Sequence, residues 1–288
     1  PSLSLIELVA VLYGGILNYD SKKPNWERRD RFILSKGHGA LGWYTALESA
    51  GIITAVQLYT FEQNNTRYVY SAQILGYHHL VNDTIAGKPV LISLCLLTET
   101  GLIYSRQLDN QALTFGVLGT LYYGNLVMFD NQTNSYWIQI LGEAFNGSLQ
   151  GKKLEVITPL TKTYWAKVKN QDKLKVLLPE KDLAFYDEFY NKYKTSPLGL
   201  QALKVKKESD SRLPDFTEGF GLNINGESKF FPKSLFDTKS EIKDRLGNED
   251  IILTKGAFDE IVVSDKNIEL IPSYWFSWSA FYPETQIY

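Results

Sequence analysis

The sequence predicts an α+β protein in which a small helical segment precedes a mainly β domain built from two unequal repeats. Apolar residues near the start of the chain recur at helical spacing. From about residue 68 onward, short β-branched and aromatic runs alternate with Asn, Asp and Gly turns. Residues 70–93 and 231–254 share one pattern without a gap, which is typical of an internal duplication. Together these observations favour a repeat architecture over two unrelated domains.

The helical predictions all fall in the first 63 residues. Residues 4–17 carry apolar side chains on one helical face. Residues 40–50 predict a second helix, which ends before a glycine. Thr54 is the predicted N-cap of a third, short helix over residues 55–63.

The β predictions rest on short apolar runs that are separated by turn residues. The predicted strands fall within residues 90–97, 101–106, 113–119, 125–130, 135–142, 250–256 and 260–266. Leu108 to Gln111 form a predicted hairpin turn. Residues 178–217 are polar and contain three prolines, so they predict a linker. The resulting division has four parts, residues 1–66, 67–177, 178–217 and 218–288.

The two repeats are unequal. The offset between them is 161 residues at the first matching block but 110 at the Tyr-Trp pair of residues 164–165, so the first repeat holds 51 extra residues. Cys95 lies where the second repeat has Gly256. The first repeat also lacks a recognisable opening strand. We therefore expect any chemistry to reside in the first, elaborated repeat.

Composition excludes several classes of protein. The net charge of −2 provides no basic field for nucleic acid. A single cysteine excludes an internal disulfide and a Cys-cluster metal site. The longest apolar stretches are shorter than the roughly 18–20 residues that a membrane-spanning helix needs. We therefore expect no nucleic-acid partner and no transmembrane span, and the partner class that remains is a small ligand or a protein.

Several motifs of the β-rich region occur in the order of a known family. They read YHHLVNDTIAGKPV, LCLLTETGLIYSR, TFGVLGTLYYGNLVMFDNQTNSYWIQILGEAFNGSLQGKKL and SYWFSWSAFYPETQIY. Residues 68–288 thereby resemble the bacterial domain of unknown function 3179 family. The resemblance implies a duplicated β-rich fold, often in exported or envelope-linked bacterial proteins, and no established activity. The Cys-Pro-Leu-(Cys/Thr) motif of that family reads Cys-Leu-Leu-Thr at residues 95–98, without the proline or a second cysteine.

The first 66 residues resemble a different family, through RDRFILSKGHGALGWYTALESAGIITAVQLYTFEQNNT. They are similar to the start of the thiamine-diphosphate domain of transketolases. The resemblance implies a transferase of the transketolase type, a cytoplasmic location and a cofactor contact at His38. Glycines allow the backbone to approach a diphosphate, and an imidazole can donate a hydrogen bond to it. The Gly-Asp-Gly…Asn segment that holds the metal and diphosphate in that family is not found after it, so the cofactor site is incomplete.

Three residues of the first repeat are candidates for a site. Cys95 ends an apolar strand and is either a buried small hydrophobe or a thiolate nucleophile or metal ligand. His78 is either part of a polar turn or a base or co-ligand acting with Cys95. Met128, the only methionine, is either a core residue or the third ligand of a soft copper site.

The sequence leaves three functional hypotheses. The first is a binding or structural module without established catalysis. The second is an enzyme or copper site centred on Cys95. The third is a thiamine-diphosphate protein that uses His38. The hypotheses differ in the environment that they require for Cys95, which is either sealed among apolar side chains or beside His78 at a cavity.

Overall fold

The computed structural model describes residues 3–21, 23, 26–33, 46–47, 50, 57–177, 210–265 and 268–288. These residues are mostly β structure, with a short helix near the N-terminus, as the sequence predicts. Helix α1 spans Leu3–Val11 and continues as one π-helical turn, Leu12–Ile16. The predicted second helix lies outside the described residues except for residues 46–47, which are helical, and residue 50.

The prediction of a third helix after Thr54 is wrong. Residues 57–63 form strand β1 (Gln57–Gln63), which pairs antiparallel with β2 (Thr66–Ser71). The connecting residues Asn64 and Asn65 have φ angles of 52° and 55°. Two consecutive left-handed residues are characteristic of the tight turn that matches the twist of a hairpin, and Asn tolerates this conformation. A strand is therefore present upstream of residue 67, where the sequence pattern indicates none.

The chain divides into two compact units. Pro1–Ala72 and Lys162–Leu183 form the first, and Gln73–Thr161 and Ala184–Tyr288 form the second. The first unit contains a four-stranded sheet in the order β13-β1-β2-β14. Its two remaining strands and a helical turn are β13 (Thr161–Tyr164), β14 (Leu174–Leu177) and α3 (Trp165–Val168). Strand β14 runs parallel to β2.

The first segment of the second unit contains helix α2 (Ala72–His78), except for its first residue, and two sheets. One sheet has the order β12-β5-β4-β3 and contains β3 (Leu80–Ile85), β4 (Lys88–Cys95), β5 (Thr100–Ser105) and β12 (Val156–Pro159). The other has the order β11-β10-β9-β8 and contains β8 (Phe115–Tyr122), β9 (Asn125–Asp130), β10 (Tyr136–Ile138) and β11 (Glu143–Asn146). The predicted hairpin joins β6 (Gln107–Leu108) to β7 (Gln111–Ala112) and is confirmed.

The second half of the chain adds two further sheets. One has the order β20-β15-β16-β21 and contains β15 (Glu218–Ile224), β16 (Glu227–Pro232), β20 (Ile271–Tyr274) and β21 (Gln286–Ile287). The other has the order β17-β18-β19 and contains β17 (Glu241–Leu246), β18 (Glu249–Lys255) and β19 (Ile261–Val263). The helical segments here are a 3₁₀ helix (Lys233–Asp237) and α4 (Trp275–Phe281).

In the described residues, two large apolar clusters lie in the core of the second unit, beside a minor one around Tyr274 and Phe276. The larger one joins side chains from both halves of the chain, with Trp137, Trp275 and Trp278 completely buried in it. The smaller one lies under β17, β18 and β19. Trp137 and Trp275 anchor the core, whereas Trp165 is only half-buried. None of the helices in the described ranges has the length and apolar character that crossing a membrane requires.

Candidate functional site

Cys95 is the last residue of β4, an eight-residue strand whose last six residues are buried because its sequence is almost entirely apolar. The side chain is 3% exposed, and Sγ lies 3.8 Å from the carbonyl oxygen of Gly124. Burial raises the pKa of this thiol, because the thiolate would lose its hydration. A thiol in this environment stays protonated near neutral pH, and a protonated thiol is a poor nucleophile and metal ligand.

The other two residues of the predicted copper site are in different environments. Met128, in β9, is completely buried in the same apolar cluster as Cys95. His78, the last residue of α2, is exposed, and its ring contacts that of Tyr77 at 4.7 Å. Thus Cys95 and Met128 share the core while His78 lies at the surface. Across the part of the chain that the structure describes, no three His, Cys, Asp or Glu side chains are grouped as a metal site would need.

His79, which follows His78, is partly buried. The backbone of His79 has a φ angle of 60°, and its carbonyl accepts a hydrogen bond of 2.8 Å from the amide of Leu94. Burial lowers the pKa of this imidazole, so it is neutral at physiological pH. His38, the predicted cofactor contact, lies outside the described residues.

A buried polar network lies beside Cys95, and sequence reasoning missed it. At its centre, Nδ2 of Asn125 donates hydrogen bonds to Oγ1 of Thr98 at 3.0 Å and to Oε1 of Gln139 at 2.9 Å. Oδ1 of Asn125 accepts one of 2.8 Å from the amide of Ile140. The Asn125 side chain thus ties together three separate segments of the second unit.

Gln139 extends the network toward β4 and β5. Its Nε2 donates to Oγ of Ser93 at 2.9 Å and to the carbonyl of Thr100 at 3.2 Å. The backbone carbonyl of Gln139 accepts a hydrogen bond of 2.6 Å from the hydroxyl of Tyr104. All these side chains are completely buried, and buried polar groups are stable only when they are paired in this way. A sequence signal does exist, since Ser93 and Gln139 are isolated polar residues within apolar runs of the sequence.

The loop after Cys95 contacts the C-terminal motif. The amide of Tyr274 donates a hydrogen bond of 2.7 Å to the carbonyl of Thr98, and its hydroxyl lies 3.3 Å from Oε2 of Glu99, to which it donates. Glu99 has a φ angle of 55°, which is uncommon for a residue with a large side chain. Burial, together with the charges of Glu99 and Glu218, raises the pKa of Tyr274, so its phenol remains a donor. The two family-like motifs therefore meet in space.

The carboxylate of Asp130 holds a turn. Its carboxylate accepts hydrogen bonds from the amide of Thr133 at 2.6 Å and from Nε1 of Trp137 at 3.0 Å. The hydroxyl of Thr133 also donates to it at 2.9 Å. With these partners the carboxylate closes the connection between β9 and β10.

Comparison with known proteins confirms both resemblances that the sequence predicts. A family described as "Protein of unknown function (DUF3179)" matches residues 55–270. The transketolase thiamine-diphosphate binding domain matches residues 1–69. No solved structure gives a significant match.

Transketolases among the curated relatives match the N-terminal segment. A transketolase of Treponema pallidum is 41% identical over 66 residues, or 23% of this chain and 10% of that protein. A transketolase of Aquifex aeolicus is 42% identical over 66 residues, with the same coverage. The 6-deoxy-6-sulfo-D-fructose transketolase subunit SqwG of a Clostridium species is 40% identical over 65 residues, or 23% of this chain and 24% of that protein. The chain thus spans a quarter or less of these relatives. The DUF3179 match, by contrast, covers well over half of the chain, which therefore belongs to this family of proteins of unknown function.

Proposed function

We propose that the β-rich part of this protein is a binding or structural module without catalysis of its own. The observation that carries the proposal is that the interior polar groups are buried and hydrogen-bonded within the protein. The Cys95 thiol is sealed in the core, and the side-chain amides of Asn125 and Gln139 form hydrogen bonds with neighbouring buried strands and turns. These groups stabilise the fold, and none of them is presented to a substrate.

The rival hypothesis of a Cys95-centred copper site can be tested by Cu(I) binding in solution. Titration with Cu(I) under reducing conditions is expected to give the same binding isotherm for the wild type and Cys95→Ala, because the buried thiol and the exposed His78 do not form one ligand shell. A His78→Ala variant serves as the matched control at the surface. A stoichiometric site that disappears in Cys95→Ala would overturn the proposal.

We also propose that the β part arose by an internal duplication, with the first repeat opening at β1. The bounds of β1, β2 and β3 lie 161 residues before those of β15, β16 and β17. The sheet order β13-β1-β2-β14 has the same connectivity as β20-β15-β16-β21, and the last strand of each runs parallel to its neighbour. This correspondence supports repeats at residues 67–177 and 218–288, joined by the linker at residues 178–217, with the first extended back to Gln57.

A second candidate function concerns the N-terminal segment, and the similarity to transketolases over 66 residues favours it. In this proposal, His38 contributes to the binding of thiamine diphosphate. The test is thermal unfolding with millimolar thiamine diphosphate and magnesium, since a ligand that binds the folded state raises its stability by mass action. A rise in Tm that His38→Ala abolishes would support the candidate. An unchanged Tm in the wild type would dismiss it.

A further inference from the structure

The sheet formed by β17, β18 and β19 has three strands, whereas its counterpart earlier in the chain has four. In the counterpart, β3, β4 and β5 are followed by a fourth strand, β12, which pairs antiparallel with β5. Strand β19 occupies the position of β5, because Val263 lies opposite Leu253 as Ile103 lies opposite Ile92. Within the described residues, no strand occupies the position of β12 beside β19.

The backbone groups that β12 uses in the four-stranded sheet are identifiable. The amide of Leu160 donates a hydrogen bond of 2.9 Å to the carbonyl of Gly101, and the amide of Ser105 donates one of 2.9 Å to the carbonyl of Glu155. Outward-facing groups alternate along a strand, so Gly101, Ile103 and Ser105 face β12.

The corresponding groups of β19 face away from the sheet. The amide of Ser264 donates a hydrogen bond of 2.9 Å to the carbonyl of Ile252, so residues 264 and 252 form a hydrogen-bonded pair. By alternation, Val262 bonds to β18, whereas Ile261 and Val263 direct their amides and carbonyls away from it. In the described part of the chain, no strand forms backbone hydrogen bonds with this outer edge of β19. An unpaired edge of this kind is a template for another extended chain.

The side chains of β19 define what an added strand must carry. Ile261 is 5% and Val263 is 9% exposed, and both belong to the smaller apolar cluster. Val262 is 54% exposed on the other face. An added strand would continue the apolar cluster with the two residues opposite Ile261 and Val263, and it would place the residue between them beside Val262.

The charge at one end of β19 indicates which side chains should follow the apolar pair of an added strand. Asp259 and Glu260 immediately precede the strand, and the nearby cation Lys255 lies 3.6 Å from Asp259. Two carboxylates and one ammonium leave this end acidic. In an antiparallel arrangement, the residues that follow the apolar pair of the added strand lie against this end, where a basic side chain is favoured.

We propose that β19 is a strand-addition site for an extended peptide of a partner protein. The peptide runs antiparallel to β19, with apolar residues opposite Val263 and Ile261 and basic residues beside Glu260. Main-chain hydrogen bonds supply affinity, and the alternate side chains supply specificity. This inference rests on the proposed binding role of the β part and identifies the partner chemistry.

The test uses the full chain and the probe acetyl-Val-Thr-Ile-Lys-Lys-amide, whose binding is followed by fluorescence anisotropy of a labelled copy. Two N-methylated forms provide a matched pair. Methyl groups on the amides of the Val and Ile residues block the hydrogen bonds to β19, and we expect binding to weaken roughly tenfold or more, since two hydrogen bonds are lost. Methyl groups on the Thr and first Lys amides, which point away from β19, are expected to leave binding unchanged.

Hydrogen exchange locates the probe on the chain. Saturating peptide is expected to slow exchange of the amides of Ile261 and Val263, with no change at Val262. The variant Val263→Pro removes an outward amide without breaking a bond to β18, so it should fold and lose peptide binding, while Val262→Thr should retain it. Equal binding of the two methylated probes, or protection elsewhere than β19, would overturn the proposal. Neither result would affect the Cu(I) titration, on which the proposed function depends.

Discussion

The side-chain amide of Asn125 donates a hydrogen bond of 2.9 Å to the side-chain carbonyl of Gln139, in a part of the core where neither residue is exposed. This pair connects the start of β9 to the segment after β10, and through Ser93 it reaches β4. A paired amide network of this kind makes one arrangement of strands favourable, because each alternative leaves buried donors or acceptors unpaired.

The first prediction concerns this network. Asn125→Ala removes partners from Thr98, Gln139 and the amide of Ile140, so we expect a loss of about 2–4 kcal/mol in the free energy of unfolding. Urea unfolding measures it. The control Asn146→Ala, at an exposed end of β11, should change stability by less than about 0.5 kcal/mol. Similar losses in both variants would contradict the structural role of the network.

The second prediction concerns access to the Cys95 thiol. Because the side chain is buried and protonated, a disulfide reagent should label the native protein far more slowly than the urea-unfolded protein. Absorbance of the released thiolate follows the reaction. Labelling of the native protein as fast as that of the unfolded protein would show that the thiol is accessible.

The third prediction concerns pH. Folding raises the pKa of Cys95, so its contribution to stability is complete below the pKa of the unfolded thiol and is lost as the pH rises toward the folded pKa. The unfolding free energy of the wild type should therefore fall relative to that of Cys95→Ala above about pH 9, the region of an ordinary thiol. Urea unfolding at a series of pH values measures the difference. A difference that is constant from neutral pH to well above this region would contradict the raised pKa.

The fourth prediction concerns Arg106, which is buried and donates to three backbone carbonyls. Its Nε bonds to Val90 at 2.8 Å and one terminal nitrogen bonds to Asp83 at 2.8 Å, while the other bonds to Leu113. A lysine cannot reproduce this planar fork, so we expect Arg106→Lys to cost about 2–4 kcal/mol in urea unfolding. Arg245→Lys, at an exposed site, is the matched control. Equal stability of the two variants would mean that the three carbonyls find other donors.

The fifth prediction concerns the turn between β1 and β2. Asn65 has a left-handed backbone, in which glycine is unstrained. Asn65→Gly should therefore keep stability within about 1 kcal/mol of the wild type, whereas Asn65→Val should lose more than about 1 kcal/mol, because a β-branched side chain is strained at positive φ. Thermal unfolding compares the two. A stable valine variant would show that the turn adopts another conformation.

Much of the β structure was predictable because its signal is local. The strand around Cys95 and the one around Met128 are apolar runs bounded by turn residues, and both are observed. The turn at Asp130 was also predictable, since an aspartate followed three residues later by threonine bonds its own backbone. The segment after Thr54 was not, because its local pattern fits a helix, and pairing with β2 overrides that preference.

The candidate residues could be identified from the sequence, but their burial and their contacts could not. Cys95, His78 and Met128 were chosen for their chemistry, yet which of them is buried depends on the sheets that cover them. The Asn125–Gln139 network joins residues 14 positions apart, and the Glu99–Tyr274 contact joins residues 175 apart. No periodicity or spacing within the chain encodes such pairs.

By itself, the sequence determined the family, the mainly β class and several of the strands, because apolar runs and turn residues act over a few positions. Tertiary structure alone decided that the thiol of Cys95 lies in the core while the imidazole of His78 faces solvent. It also decided that β12 lies beside β5, whereas among the described residues no strand lies at the outer edge of β19. Burial and edge pairing both depend on segments distant in the chain, which come together only when the sheets fold.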